Sequence, residues 1–374
     1  MRAPAKPRVL HLQLEFMTWR DARPWTYSVG MGLEEGLTDC GVRFLTIPSP
    51  WVSRAKEILA GQRFDQIWVE AVHQNSFDDD GGWDWLASLA PVRVGLIGES
   101  LTYTSDDQAL WPELWPHLSR RQGLVSKRLE YLTHAVVTDE RDAESLNASG
   151  SLAAMWWPQA VPKRYIQPAP PPPPGAPGLF AGTAYGQRQA FLNHPALRGL
   201  LAKFVSPEDR GIYPGLFEAL HLAVLGFLQN NLPDWQRSFP EYLEVLRRAR
   251  RALFGQFLEG FHAGCAVVNL PHLVKAYAGR VVEGMAAGRP IVSWDLPDRP
   301  HNRALFADGE EILLFDRHQP EQLADHLRRL QADPALGQRI AENARRKIKR
   351  FHTVERRVAQ ILDWTTRGVE PVYT

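Results

Sequence analysis

The sequence is nearly without cysteine. Its two, Cys40 and Cys265, stand far apart in the chain, which excludes a disulfide framework and predicts a reducing compartment. It is also nearly without net charge. Its 43 Lys and Arg against 42 Asp and Glu leave +1, so no global field draws it to nucleic acid. Long apolar runs are missing too. The run LHLAVLGFL, Leu220 to Leu228, is about half of a membrane span. The apolar VLHLQL behind Arg2, Lys6 and Arg8 is too short for a signal peptide and is broken by His11 and Gln13. These absences lead us to expect a cytoplasmic protein.

Proline and tryptophan are plentiful. Most of the 13 tryptophans are expected in cores, where their area outweighs one polar N–H, with one or two on substrate. The prolines concentrate in QPAPPPPPGAPG, Gln167 to Gly178. Fixed φ angles and missing N–H groups keep that stretch out of helix and sheet, so it predicts a stiff, extended spacer. A length of 374 residues suits about two domains at roughly 100–200 residues each. We therefore expect a first domain over 1–167, a linker over 168–178 and a second domain over 179–350. A closing helix within 351–374 is expected to pack back on the first domain.

Each half alternates short apolar runs with helix-length segments. In the first half the runs are Val9 to Phe16, Val42 to Pro48, Phe64 to Val72, Pro91 to Ser100 and His134 to Glu140. In the second they are Gly178 to Thr183, Cys265 to Pro271, Arg289 to Asp295 and Ile312 to Asp316. Runs apolar on both faces predict parallel sheets covered by helices. The expected class is α/β, with two Rossmann-like parallel-sheet domains facing across a cleft. Ligands of such sheets bind beyond the carboxyl ends of the strands, so residues just after each strand are the candidates.

GRVVEGMAAGRPIVSW, Gly279 to Trp294, carries the most chemistry. It predicts a helix ended by a left-handed Gly288, then a strand. Glu283 lies one turn beyond Arg280. A carboxylate there accepts two ribose hydroxyls, and a guanidinium fork fits a diphosphate. A buried Glu–Arg pair closing the helix would look the same. A second candidate is FAGTAYGQRQAFL, Phe180 to Leu192, where a glycine turn and Arg188 at a helix start suit phosphate, or form a plain surface turn. His73 and Glu99, each just after a strand, are candidate bases, or simply a polar loop residue and a helix cap. Arg20, Trp25 and Tyr27 follow the first strand and are candidate acceptor contacts. Asp78 to Asp80 read as a solvated turn. The basic runs at Arg247 to Arg251 and Arg345 to Arg350 read as solvated helix faces, with a weak hold on anionic lipid as the sharper option. His262 and Cys265 lack a second ligand pair and are assigned to the core.

Glu283, Met285, Ala286, Gly288 and Pro290, followed by Asp308 and Gly309 before the last strand, resemble group-one glycosyltransferases of the GT-B fold. The likeness is good from about 264 to 362 and looser elsewhere. It implies sugar transfer from a nucleotide-diphosphate sugar to an acceptor hydroxyl, with no bound metal or other cofactor, as in bacterial glycan or glycoconjugate biosynthesis. Many such relatives work at the inner membrane face. The family's ribose-binding glutamate corresponds to Glu283. Where many members carry a second glutamate eight residues earlier, this chain has Lys275. Asn269 with Arg280, and Gly182, Tyr185 and Arg188, resemble the spore-maturation (CgeB-like) branch. The implied donor set is Gly182, Thr183, Tyr185, Arg188, Asn269, Lys275, Tyr277, Arg280 and Glu283, with Arg280 also helping catalysis. A nucleotide-sugar epimerase of the same fold, or a non-catalytic nucleotide- or sugar-binding subunit, are the alternatives. Donor sugar, base, acceptor, stereochemistry and oligomeric state stay open.

Overall fold

The computed structural model describes residues 6–13, 17–18, 23–24, 28–48, 52, 54–73, 75–78, 81–204 and 235–374. Two parallel sheets organise it. The first holds β1 (Arg8–Gln13), β4 (Arg43–Pro48), β5 (Gln66–Glu70), β6 (Val92–Ile97), β7 (His134–Val137) and β8 (Ala153–Trp156) in the order β4-β1-β5-β6-β7-β8. The second holds β9 (Gly178–Phe180), β10 (Leu201–Lys203), β11 (Ala266–Asn269), β12 (Ile291–Trp294) and β13 (Leu313–Phe315) in the order β10-β9-β11-β12-β13. Both centre on strands without a solvent face. Ile67, Trp68 and Val69 of β5 and Val267 and Val268 of β11 are fully enclosed, as a sheet covered on both faces requires.

Four short strands were not among the expected runs. β8 and β10, of four and three residues, are edge strands of the two sheets. In the segment expected as a loop, Arg23–Pro24 (β3) pairs antiparallel with Met17–Thr18 (β2). The end of the first expected run, 14–16, lies outside the described residues.

The helix Val354–Arg367 starts at Thr353, whose Oγ1 accepts from Arg356 N at 3.3 Å, and stops at Gly368 with φ 65°. Its apolar stripe, Val354, Val358, Ile361 and Leu362, joins the core cluster of the first domain with Leu33 and Leu37. The facing helix is Ser28–Asp39. Gly36 makes the approach possible: a Cβ there would lie 2.3 Å from Val358 Cγ2.

The proline-rich stretch forms no helix or strand before Gly178 and lies against the second domain. Arg289 Nη1 donates to Pro170 O at 2.7 Å, and Gln331 Nε2 to Ala176 O at 3.0 Å. The first basic run is not a solvated face throughout. Arg247 Nη2 meets Glu34 at 2.9 Å and Arg251 Nε meets Glu35 at 3.2 Å. The carboxylates are buried and need counter-charges, which this helix, Trp235–Gly260, supplies. Arg248 pairs with Glu244 in the open, at 2.9 Å. In the second run Lys347 reaches Glu311 at 3.8 Å, Arg350 covers Phe351, and Arg346 donates to Asn343. His262 Nε2 lies 3.1 Å from Ala287 O, and Cys265 is buried, its thiol pushed up to about 11 by burial. Among the described residues no helix is long and apolar enough to cross a membrane.

Candidate functional site

Arginines converge at the carboxyl ends of β9 and β11. Arg188 lies on the short helix Gln187–Leu192, reached by a turn through Gly182 and Gly186. It is buried, donating from Nε to Pro271 O at 3.0 Å and from Nη1 to Thr183 O at 3.2 Å. Arg280 lies at the start of the helix Gly279–Ala286. It donates from Nε to Ala181 O at 2.7 Å and from Nη1 to Asn269 Oδ1 at 2.8 Å. Asn269 is held in turn by its Nδ2 donating to Ser293 Oγ at 2.9 Å.

Both guanidiniums lie over the Phe180 ring, with Cζ at 5.6 and 5.4 Å from its centroid. Burial, and then the charge of Arg280, pulls the Arg188 pKa down to about 9. Two like charges held over one ring repel one another. Gly182 has φ 145°, and a Cβ on it would lie 2.9 Å from Arg280 Nη2. Gly182 and Thr183 are exposed, so this corner opens outward. Tyr185 lies under Arg188 Cζ at 4.7 Å and meets Trp111 of the first domain edge-on at 5.2 Å. Glu283 is buried one helical turn beyond Arg280.

Thus Gly182, Thr183, Tyr185, Arg188, Asn269, Arg280 and Glu283 share one end of the second sheet. Tyr277 and Lys275 turn elsewhere. Tyr277 is buried against Phe306, ring centroids 5.8 Å apart, with its N–H donating to Asn302 Oδ1 at 3.1 Å. Lys275 enters the seam between the domains. Its Nζ lies 2.6 Å from Asp107 Oδ2, and its N–H donates to Ser100 Oγ at 2.9 Å.

More buried polar contacts line that seam. Arg299 Nε lies 2.5 Å from Asp139 Oδ1, while Ser100 Oγ donates to Asp139 Oδ2 at 2.8 Å. Glu140 accepts the backbone N–H groups of His301 and Asn302 at 3.2 and 2.6 Å. For Asp107, Asp139 and Arg299 the local sequence does not show the ion-pair partner, which for each lies in the other domain.

On the first domain His73 and Glu99 come together. His73 Nε2 lies 3.3 Å from Glu99 Oε1, and Nδ1 lies 3.4 Å from Glu70 Oε1. Glu99 also binds Arg121, whose Nη2 donates to Tyr103 Oη at 2.9 Å. Burial alone would lower the imidazole pKa. Hydrogen bonds to Glu70 and Glu99, and their charges, outweigh it and push the pKa up to about 9. At neutral pH the ring is therefore an imidazolium, which donates protons and does not accept them.

The loop beneath His73 is tied down by Arg128. This buried guanidinium donates to Ala71 O at 2.9 Å, Val72 O at 2.8 Å and Asn75 Oδ1 at 2.6 Å. Asp78, expected in a solvated turn, is its counter-ion at 2.6 Å and also accepts Trp83 Nε1 at 3.0 Å. A buried guanidinium cannot go without such a partner. Asp79, Asp80, Arg20, Trp25 and Tyr27 lie outside the described residues, as does the side chain of Arg23.

Residues 213–363 match the family model of glycosyl transferase-like domains. Comparison with curated proteins found no match. Among solved structures, sucrose-phosphate synthase from Thermosynechococcus elongatus is similar over 95% of this chain and 97% of its own, at TM-score 0.57 and 14% identity. An alpha-glucosyltransferase solved with UDP-glucose and DNA containing an abasic site is similar over 97% of this chain and 100% of its own, at TM-score 0.58 and 11% identity. Anabaena HepE, solved with UDP-glucose, is similar over 97% of this chain and 100% of its own, at TM-score 0.53 and 12% identity. At such identities the likeness establishes the fold, and the fold is GT-B.

Proposed function

A GT-B fold whose second domain is a glycosyltransferase domain is the premise from which we propose that this enzyme moves a sugar from a nucleotide-diphosphate sugar to an acceptor hydroxyl. The observation that carries the donor site is the convergence of Arg188 and Arg280 over Phe180 at the strand ends. Two guanidiniums that disfavour one another gain most from a diphosphate, whose oxygens match their planar forks. Glu283, a turn along the same helix, then accepts the ribose hydroxyls. Gly182 leaves room for the phosphates beside Arg280.

In the transfer, the bond between the sugar's anomeric carbon and the diphosphate oxygen breaks, and the electron pair leaves with the diphosphate. Arg188 and Arg280 stabilise that growing negative charge. A bond forms from the acceptor oxygen to the anomeric carbon, and the acceptor's proton passes to an oxygen of the departing diphosphate. We place the acceptor against the first domain, beside the His73–Glu99 pair. With its proton already in place, His73 acts there as a cation or a hydrogen-bond donor and not as the base.

The test is a thermal-shift screen with UDP, GDP, ADP and dTDP sugars, with CMP sugars as a monophosphate control. We expect stabilisation by the sugars of one diphosphate base, lost in Arg188→Ala and Arg280→Ala. A full screen without a shift, or one unchanged in both variants, would overturn the donor site.

A further inference from the structure

His272 follows Pro271, the residue whose carbonyl accepts Arg188 Nε at 3.0 Å. Its side chain is buried, and its ring meets Trp294 edge-on, centroids 5.8 Å apart. The hydrogen bonding fixes its tautomer. Nδ1 lies 3.1 Å from the Val274 N–H and accepts from it, so Nδ1 carries no proton and the neutral ring must carry one on Nε2. That Nε2 is enclosed and meets no acceptor among the described residues. Two neighbours share this state: the Trp294 indole Nε1 and the Arg317 Nε are enclosed donors without an acceptor. Arg317 Cζ stands 5.3 Å over the Trp294 ring, while its Nη2 donates to Gln187 Oε1 at 3.1 Å. Three enclosed donors thus stand at the ends of β11, β12 and β13, next to Arg188. Buried polar groups are seldom left unmet, and a set of unmet groups that are all donors calls for a partner made of acceptors.

The ring is also neutral. Burial first, then the charges of Arg188, Arg280 and Arg317, keeps its pKa well below the ordinary 6.5. A fourth positive charge among three arginines would be repelled, whereas a neutral N–H adds a hydrogen bond to an anion without that repulsion.

We infer that His272 is a further donor-site residue, whose uncharged Nε2–H binds a phosphate oxygen of the donor's diphosphate between Arg188 and Arg317. The inference rests on the donor-site reading given above. It sharpens the ligand class: a phosphate group with an oxygen directed at the neutral donor, in addition to those held by the guanidinium forks.

Inorganic pyrophosphate is the probe, titrated calorimetrically into the full chain. His272→Phe keeps the ring volume and removes the donor. His272→Gln places an amide N–H near the Nε2 position. Loss of a hydrogen bond to a charged partner predicts pyrophosphate binding about 10- to 100-fold weaker in His272→Phe, with most of it kept in His272→Gln. Arg188→Ala separates the two claims. Binding that needs Arg188 but is the same in His272→Phe overturns the role of His272 and leaves the donor site standing. Binding absent from the unmodified chain, or indifferent to Arg188, overturns both. If His272→Phe does not fold, histidine-labelled NMR on the unmodified chain decides. The Nε2–H tautomer and a shift of its resonance on adding pyrophosphate are expected; the other tautomer, or an unmoved resonance, overturns the inference.

Discussion

Lys275 Nζ lies 2.6 Å from Asp107 Oδ2, with both side chains buried and one residue on each domain. The buried cation is thereby neutralised by the opposite domain. Asp107 is doubly engaged, since it also accepts the Thr104 N–H at 2.7 Å and completes a capping box. Burial would raise its pKa, but Lys275 and Thr104 outweigh that and lower it. Removing Lys275 alone strands a buried carboxylate. We expect Lys275→Met to cost about 3–5 kcal/mol in urea unfolding, as broken buried pairs do. Adding Asp107→Asn, which keeps part of the cap, should recover much of the loss. Two single losses that simply add would show that the pair is not coupled.

Glu283 is expected to matter for the nucleoside and not for the phosphates. Glu283→Ala removes the proposed ribose acceptor but leaves Arg188 and Arg280. Hydrogen bonds to a charged group are worth about 1.5–3 kcal/mol, so the affinity for the nucleoside diphosphate found in the screen should fall roughly 10- to 150-fold. Pyrophosphate should bind as before. An equal loss for both ligands in calorimetry would make Glu283 a support for Arg280, the buried-pair alternative.

Gly182 tests the fit between the glycine turn and Arg280. Its φ of 145° strains any side chain, and a Cβ would press on Arg280 Nη2. Gly182→Ala should cost about 1–3 kcal/mol of stability and weaken pyrophosphate binding as well. If the binding loss acts through Arg280, Arg280→Ala should weaken binding less in the Gly182→Ala chain than in the unmodified one. Full additivity in the titrations would separate the two residues.

The sheets were legible because their central strands are apolar on both faces: β5 and β11 announce themselves by composition alone. β8 and β10 did not: they are edge strands, with Ala153 and Lys203 exposed. The expected donor residues that the structure gathers are those set by local pattern, a glycine turn before Arg188 and an i, i+3 pair at Arg280 and Glu283. His272, Trp294 and Arg317 belong to three separate strand ends, and only the assembled sheet makes neighbours of them. Asp78 misled for the same reason: its partner, Arg128, lies 50 residues on.

His73 yields the prediction with the clearest sign. Its folded pKa is pushed up to about 9 from the ordinary 6.5, so the folded state favours the imidazolium. Its contribution to stability is fully present below about pH 6.5 and is lost as the pH rises through about 9. His73→Gln keeps a hydrogen-bonding group but cannot carry the charge. Unfolding curves taken from about pH 6 to about pH 10 should show the variant weakest, relative to the unmodified chain, at the acid end, and the gap closing toward the alkaline end. A gap that does not vary with pH would mean that Glu70 and Glu99 do not hold a protonated ring. Activity read over the same range distinguishes the chemical roles. A cation or hydrogen-bond donor loses rate as pH passes about 9, whereas a base with that pKa would gain it. We expect the loss, because the carboxylates at 3.3 and 3.4 Å from the two ring nitrogens hold the proton that a base would have to give up first.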